Sequence, residues 1–152
     1  MLKRLQELFV SFEQPDESTQ EYRQHLAIAI LLLEVARSDH DVQEPELARL
    51  LHVLECQWAL SGEEAKALLE EATREVNVQV SLHEHLKVIN AQLKPAEKTV
   101  LVRNLWEIAY VNGEIHHWEE HLIRRLAELL GVAHKDFILG KNHVLDSASN
   151  TV

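Results

Sequence analysis

Apolar residues recur every three or four positions along most of the chain, which is the spacing of amphipathic helices. The first such run is short, ends before a Pro-Asp pair, and contains Leu2, Leu5, Leu8, Phe9 and Phe12. It predicts an N-terminal amphipathic helix within residues 1–16 that packs on the body of the domain. Attachment of this helix to a membrane surface is the alternative.

The second run is apolar on every side over residues 26–33, which predicts a central buried helix from Ser18 to Ser38. Later helix starts are marked by prolines and by Ser-x-x-Glu capping boxes, and Gly131 is placed as a C-terminal stop. The remaining predicted helices span about 45–58, 61 onward, 81 onward, 95–111, 116–130 and 134–145, and residues 146–152 are expected to fray.

The chain contains only four glycines and three prolines in 152 residues, too few for the corners of an all-β fold. Its length suits one domain that buries its core without disulfides. We therefore predict a compact, single-domain, all-α bundle of about seven to eight helices.

An internal repeat divides this bundle. Residues 34–46 and 107–119 share the pattern Glu-[Val/Ile]-Ala-x-x-[Asp/Asn]-x-[Asp/Glu]-[Val/Ile]-x-x-x-Glu at an offset of 73 positions. The register continues on both sides, so that the repeat covers about 26–72 and 99–144. The sequence therefore predicts two pseudo-symmetric helix-loop-helix halves.

Each half carries an acidic corner: a Glu near the end of its long helix, an Asp or Asn in the loop, and a Glu in the first turn of the next helix. These residues are Glu34, Asp39 and Glu46 in the first half, and Glu107, Asn112 and Glu119 in the second. Carboxylate and amide oxygens are the ligands that Ca²⁺, Mg²⁺ and Mn²⁺ prefer. Helix capping without a metal is the alternative, because a Glu in the first turn complements the helix dipole.

Histidines and tryptophans surround the second corner. Residues 117–121 read His-Trp-Glu-Glu-His, the pattern of inverted zinc proteases, but too few ligands follow to complete such a site. Zn²⁺ binding by His116, His117 and His121 is a secondary expectation. Trp106 and Trp118 are predicted to contact a partner, with core packing as the alternative.

The formal net charge is −10, which disfavours nucleic acid and favours cations or basic proteins as partners. The longest apolar run has eight residues, far below the roughly 20 that span a bilayer, and no leader is apparent, so we expect a cytoplasmic protein without a transmembrane segment. Nucleotide-binding loops and nucleophile motifs are missing, so neither an enzyme nor an organic cofactor is expected. Cys56 follows an apolar stretch and is expected in the core.

The acidic corners, the segment 105–110 (Leu-Trp-Glu-Ile-Ala-Tyr) and the segment 119–132 resemble the TerB-like family. This family is named for bacterial tellurite-resistance proteins and includes the N-terminal domain of some DnaJ-type co-chaperones. The likeness covers about residues 20–144, is closest to small stand-alone members, and defines a TerB-like domain at 17–145. It implies a compact all-α fold of two pseudo-symmetric halves.

The resemblance also implies a divalent metal at the acidic positions, which are Glu34, Asp39, Glu46, Glu107, Asn112 and Glu119 in this chain. The usual Asp-Gly pair of the family is replaced by Asp39-His40 in the first half and by Asn112-Gly113 in the second. The second loop therefore loses a charge, which weakens an ion site there.

Together these observations favour a non-enzymatic, stress-associated module that binds a divalent cation or a protein partner, basic or membrane-associated, through its acidic corners. The alternatives are a purely structural interaction domain without metal and a membrane-surface adaptor. The apolar helices fit a monomer or a dimer equally. Direct reduction of tellurite is not expected, because Cys56 is the only thiol.

Overall fold

The computed structural model describes residues 17–37, 42–77 and 82–149. These residues form seven α-helices and no strand, which confirms the all-α prediction. The helices are α1 (Glu17–Ala36), α2 (Glu44–Gln57), α3 (Gly62–Asn77), α4 (Leu82–Gln92), α5 (Pro95–Ala109), α6 (His117–Leu129) and α7 (His134–Ser149). The helix predicted within residues 1–16 lies outside the described residues.

Local sequence signals set several helix ends. At the start of α3, the Ser61 hydroxyl accepts the backbone N–H of Glu64 over 3.1 Å, and Glu64 accepts the backbone N–H of Ser61 over 3.2 Å. This is the predicted capping box, in which two helix-terminal donors are satisfied reciprocally.

The end of α6 is a Schellman turn around Gly131, whose φ is +73°. The N–H of Gly131 donates to the carbonyl of Glu128 over 3.1 Å, and that of Val132 donates to Ala127 over 2.9 Å. Glycine adopts this left-handed conformation without a Cβ penalty, which explains why the helix stops where the sequence predicted.

The last helix is longer than predicted. It continues to Ser149, four residues into the tail that the sequence predicted from Asp146. The segment Asp-Ser-Ala-Ser contains neither Pro nor Gly, and the buried Val144 anchors the turn before it. Helical geometry therefore propagates beyond the last apolar contact.

Helices α1 and α5 form the centre of the molecule. Residues 26–33 of α1 are buried on all sides, and α5 buries Leu101, Leu105 and Trp106 completely. Each such large apolar side chain contributes about 1.5–3 kcal/mol relative to an exposed position. The two helices also pack on each other, so the hydrophobic core is continuous between the halves.

The helix contacts repeat as the sequence does. Helices α1, α2 and α3 pack on one another as α5, α6 and α7 do, and the contact of α2 with α5 is matched by that of α1 with α6. Helix α2 begins at Glu44 and α6 at His117, 73 positions later. The two halves predicted from the repeat are therefore structural units related by a pseudo-twofold axis.

Within residues 17–37, 42–77 and 82–149, no helix is long and apolar enough to cross a membrane.

Candidate functional site

The two halves meet at a hydrogen bond between their acidic positions. Asn112, in the loop after α5, donates from Nδ2 to Glu46 Oε1 in the first turn of α2, over 3.2 Å. The next residue, Gly113, has a φ of +81° and donates its N–H to the carbonyl of Tyr110 over 2.8 Å. This tight turn directs Asn112 back towards the first half.

Two of the predicted acidic residues are buried carboxylates. Glu46 is 8% exposed and Glu119 is 7% exposed, although both occupy the first turn of a helix. Glu119 accepts the backbone N–H of His116 over 3.3 Å, which closes the N-terminus of α6. A buried carboxylate is stable only when it is paired, hydrogen-bonded or bound to a cation. The contact with His116 supports the capping interpretation for Glu119.

The other predicted acidic positions are Glu34, Asp39 and Glu107, and Glu107 lines the cavity between α2, α5 and α7 that is described below. Glu34 is half-buried on α1, Glu107 is half-buried on α5, and Asp39 lies outside the described residues. The structure thus joins Glu46 of one half to Asn112 of the other, a pairing that the sequence analysis missed. Over the described ranges, no group of three or more His, Cys, Asp or Glu residues is arranged to hold a metal.

The histidines at the start of α6 pack on an aromatic ring. The His116 imidazole stacks on Trp118 with centroids 4.7 Å apart and planes 3° apart, and His117 meets the same indole edge-on at 5.0 Å and 76°. These contacts do not bring His116, His117 and His121 together as metal ligands. Trp118 is 39% exposed and presents an aromatic surface beside Glu119 and Glu120.

Trp106 occupies a different environment. Its side chain is completely buried, its Nε1 donates to the carbonyl of Phe137 over 3.0 Å, and its ring lies 5.0 Å from the Phe137 ring. The prediction that Trp106 contacts a partner is therefore corrected: it fixes α7 to α5 in the core. Trp118 alone of the two remains on the surface.

Asn104 is a buried polar residue that the sequence analysis did not single out. Its Oδ1 accepts the Nε1–H of Trp58 over 3.2 Å, and its side chain is completely buried. Its Nδ2 has no hydrogen-bond partner. The pair ties the end of α2 to the middle of α5.

A groove of about 600 Å³ runs between α2, α5 and α7. We call it the α2–α5–α7 groove. Its walls are mixed polar and apolar, and they consist of Arg49, His52, Val53, Cys56 and Gln57 of α2, Glu107, Tyr110, Val111 and Gly113 at the end of α5, and His143, Val144, Ser147 and Ala148 of α7. Cys56 is exposed, with Sγ 3.7 Å from both ring nitrogens of His52. The expectation of a core Cys56 is wrong, because the buried face of α2 is formed by Glu46, Leu50, Val53 and Leu54.

A second cavity, of about 420 Å³, lies beside the N-terminal half of α1 and contains Glu21, Tyr22, His25 and Glu64. Burial lowers the pKa of His25, and the charges of Glu21 and Glu64 oppose that shift. Hydrogen bonds from Ser61 lower the pKa of Glu64. Burial also raises the pKa of Tyr22.

Comparison with known proteins identifies the family. The model of the family described as "Tellurite resistance protein TerB" matches residues 25–142, which include both acidic corners and most of the chain. No curated protein and no solved structure matches the chain. The matched range agrees with the two-half helical architecture, and the chain belongs to the TerB family.

Proposed function

We propose that this chain is a non-enzymatic, cytoplasmic TerB module, related to tellurite stress, that binds a divalent cation where the loop after α1 meets the start of α6. The supporting observation is the hydrogen bond from Asn112 to Glu46 at the pseudo-symmetric corner. The cation classes that suit the donor set are Ca²⁺, Mg²⁺ and Mn²⁺.

The pseudo-twofold relation gives each partner of that bond a counterpart. At the offset of 73 positions, Asn112 corresponds to Asp39 and Glu46 corresponds to Glu119. An amide and a carboxylate satisfy each other, because the amide donates and the carboxylate accepts. Asp39 and Glu119 are both carboxylates, so the same arrangement brings two negative charges together, and a bridging cation would stabilise that pair.

Further oxygen ligands are available at this corner. Glu34, on the last turns of α1, corresponds to Glu107 and precedes the loop that carries Asp39. Ca²⁺ requires six to eight oxygens, so loop carbonyls and water must complete its shell. The low exposure of Glu119, 7%, limits competition from bulk water for its carboxylate.

The test compares matched substitutions at the two corners. Chelator-treated protein is titrated with Ca²⁺, Mg²⁺, Mn²⁺ and Zn²⁺ while the thermal midpoint is followed. At 100 times its Kd, a cation that binds only the native state adds about 2.7 kcal/mol, or about 5–10 °C for a domain of this size. We expect Glu119→Gln to abolish the shift and Glu46→Gln, the same change at the symmetry-related position, to retain it.

Three results would contradict this proposal. A shift retained in Glu119→Gln but lost when His116, His117 and His121 are replaced would assign the ion to the histidines. A shift lost equally in both Gln variants would show no preference for the first corner. No shift with any ion would leave the acidic residues as helix caps.

A second candidate is an interaction module that binds a basic protein without a metal. It is favoured by the cap that Glu119 forms with His116 and by the exposed ring of Trp118 beside the acidic first turn of α6. A Trp118→Ala variant is expected to keep the parent thermal midpoint and to lose partner capture. An exposed Tyr22→Ala variant on the opposite half serves as the matched aromatic control.

A further inference from the structure

Helix α4 packs on a surface of the first half, and the α2–α5–α7 groove is the equivalent surface of the second half. Helix α4 packs on α1. At one end, His85 Nε2 lies 3.2 Å from Glu75 Oε2 of α3. At the other end, Asn90 Nδ2 donates to the carbonyl of Leu129, the last residue of α6, over 3.1 Å. Helix α4 is thus held by contacts with α1, α3 and α6.

The pseudo-twofold relation exchanges these three helices with α5, α7 and α2. The counterpart of Glu75 is Ala148 and that of Leu129 is Cys56, at the offset of 73 positions. Both counterparts line the α2–α5–α7 groove, which also follows the end of α5 at Tyr110 and Val111. The groove therefore occupies, in the second half, the position that α4 covers in the first.

We propose that residues 2–12 of the same chain pack as an amphipathic helix in the α2–α5–α7 groove. Helix α4 precedes α5 with two residues between them, and residues 2–12 precede α1, the counterpart of α5, with four residues between them. Residues 2–12 therefore stand before α1 in the chain as α4 stands before α5.

The sequence of the segment matches the inward face of α4. The positions of α4 that are buried or half-buried are Leu82, His85, Leu86, Val88, Ile89 and Gln92. Eighty positions earlier, five of these six positions carry the apolar residues Leu2, Leu5, Leu8, Phe9 and Phe12. Both stretches have eleven residues, so their apolar stripes have the same length and curvature on a helix.

The start of α1 lies beside residues that follow α2, and α2 forms one wall of the groove. Ser18, near the start of α1, lines a cavity together with Ala59 and Leu60, while Cys56 and Gln57 line the α2–α5–α7 groove a few residues earlier. Residues 13–16 span up to about 13–14 Å when extended. Pro15 favours an extended residue before it and a change of direction there.

Cys56 is a native reporter for this contact, because it is the only cysteine and it lines the groove. The rate of its reaction with an aromatic disulfide reagent is measured in the full chain and in two variants. We expect Leu5→Glu/Phe9→Glu to react at least about tenfold faster than the parent, because a docked segment must open before the thiol is reached. Lys3→Glu, which makes the same change in net charge on the opposite helix face, is expected to react at the parent rate.

A second measurement tests the same contact by changing the groove and leaving residues 2–12 unchanged. Val111→Glu changes the groove without changing the segment, and tryptic cleavage after Arg4 reports whether the segment is docked. We expect faster cleavage in Val111→Glu than in the parent, with unchanged far-ultraviolet circular dichroism in both. Because residues 2–12 are the same in Val111→Glu and in the parent, a changed cleavage site cannot account for a difference in cleavage rate.

Three outcomes would overturn the proposal. Equal Cys56 rates in the parent and in Leu5→Glu/Phe9→Glu would show that the segment does not cover the groove. Protection of Cys56 that increases with protein concentration would assign the occupant to a second copy of the chain. Equal rates together with binding of the parent, but not of Leu5→Glu/Phe9→Glu, to phosphatidylglycerol vesicles would assign the segment to a membrane surface.

Discussion

The side chain of Asn112 donates a hydrogen bond to Glu46 across 66 positions of the sequence and across the boundary between the two halves. The loop after α5 is thereby attached to the first turn of α2. Contacts of α2 with α5 and of α1 with α6 repeat this crossing on both sides of the pseudo-twofold axis. The corner at Asn112 in this TerB domain is therefore built from both halves.

The pair formed by Trp58 and Asn104 is expected to be energetically coupled. Trp58→Phe removes the N–H that donates to the completely buried Asn104 amide oxygen, whereas Asn104→Leu leaves the Trp58 N–H without its acceptor. Replacing both removes donor and acceptor together, which costs less than the sum of the single changes. We expect a coupling energy of about 1–2 kcal/mol in a double-mutant cycle measured by urea denaturation. Additive effects would show that the hydrogen bond contributes nothing.

The fold was predictable from local signals, because caps and apolar spacing act within a few residues. Ser61 with Glu64 marked the start of α3, and Gly131 marked the end of α6. The repeat added the long-range relation between the halves. Cys56 was predicted to lie in the core because its neighbours in sequence are apolar. The 3.6-residue period of α2 instead places it away from the buried face of that helix.

The residues of the candidate site were predictable from the sequence, but the contacts between them were not. The acidic positions were visible in the repeat, and Glu46 and Glu119 do occupy first turns. That Asn112 bonds to Glu46 of the other half depends on how α2 crosses α5, which no local pattern encodes. Trp106 was misassigned for the same reason, since its burial depends on α7 packing over α5.

Gly131→Ala is expected to destabilise the domain by about 1–2 kcal/mol. No heavy atom lies within 4 Å of the Cβ position, so the cost comes from the positive φ and not from a clash. Gly131→Asn is expected to cost less, because Asn tolerates the left-handed region. Gly62→Ala is the control: its Cβ would meet only the flexible Glu55 carboxylate at 3.0 Å, and thermal denaturation is expected to show little change.

His25 is expected to make stability depend on pH. Burial lowers its pKa in the folded state, so below about pH 6.5 the unfolded chain binds a proton that the folded chain does not. Stability therefore falls as pH decreases from about 6.5 towards the folded-state pKa, with a slope of at most about 1.4 kcal/mol per pH unit from this residue. Glu21 and Glu64 reduce the effect by favouring the charged imidazole.

The measurement for His25 is urea denaturation between pH 5 and 8 in His25→Gln and in His83→Gln, an exposed histidine. We expect His25→Gln to flatten the pH dependence and His83→Gln to leave it unchanged. The same slope in both variants would place the responsible group elsewhere in the domain.

Asn112→Asp is expected to make the second corner resemble the first. The substitution replaces the amide donor by a carboxylate next to the buried Glu46. In the presence of a chelator, we therefore expect the free energy of unfolding to be about 1–2 kcal/mol lower than in the parent. Ca²⁺ or Mg²⁺ is expected to restore this loss, and titration calorimetry should detect one more bound ion than in the parent. Asn112→Ala, which removes the donor without adding a charge, should be destabilised without any restoration by cations. If Asn112→Asp and Asn112→Ala respond identically to cations, the corners act as helix caps, and the cation site proposed at Asp39 and Glu119 loses its main support.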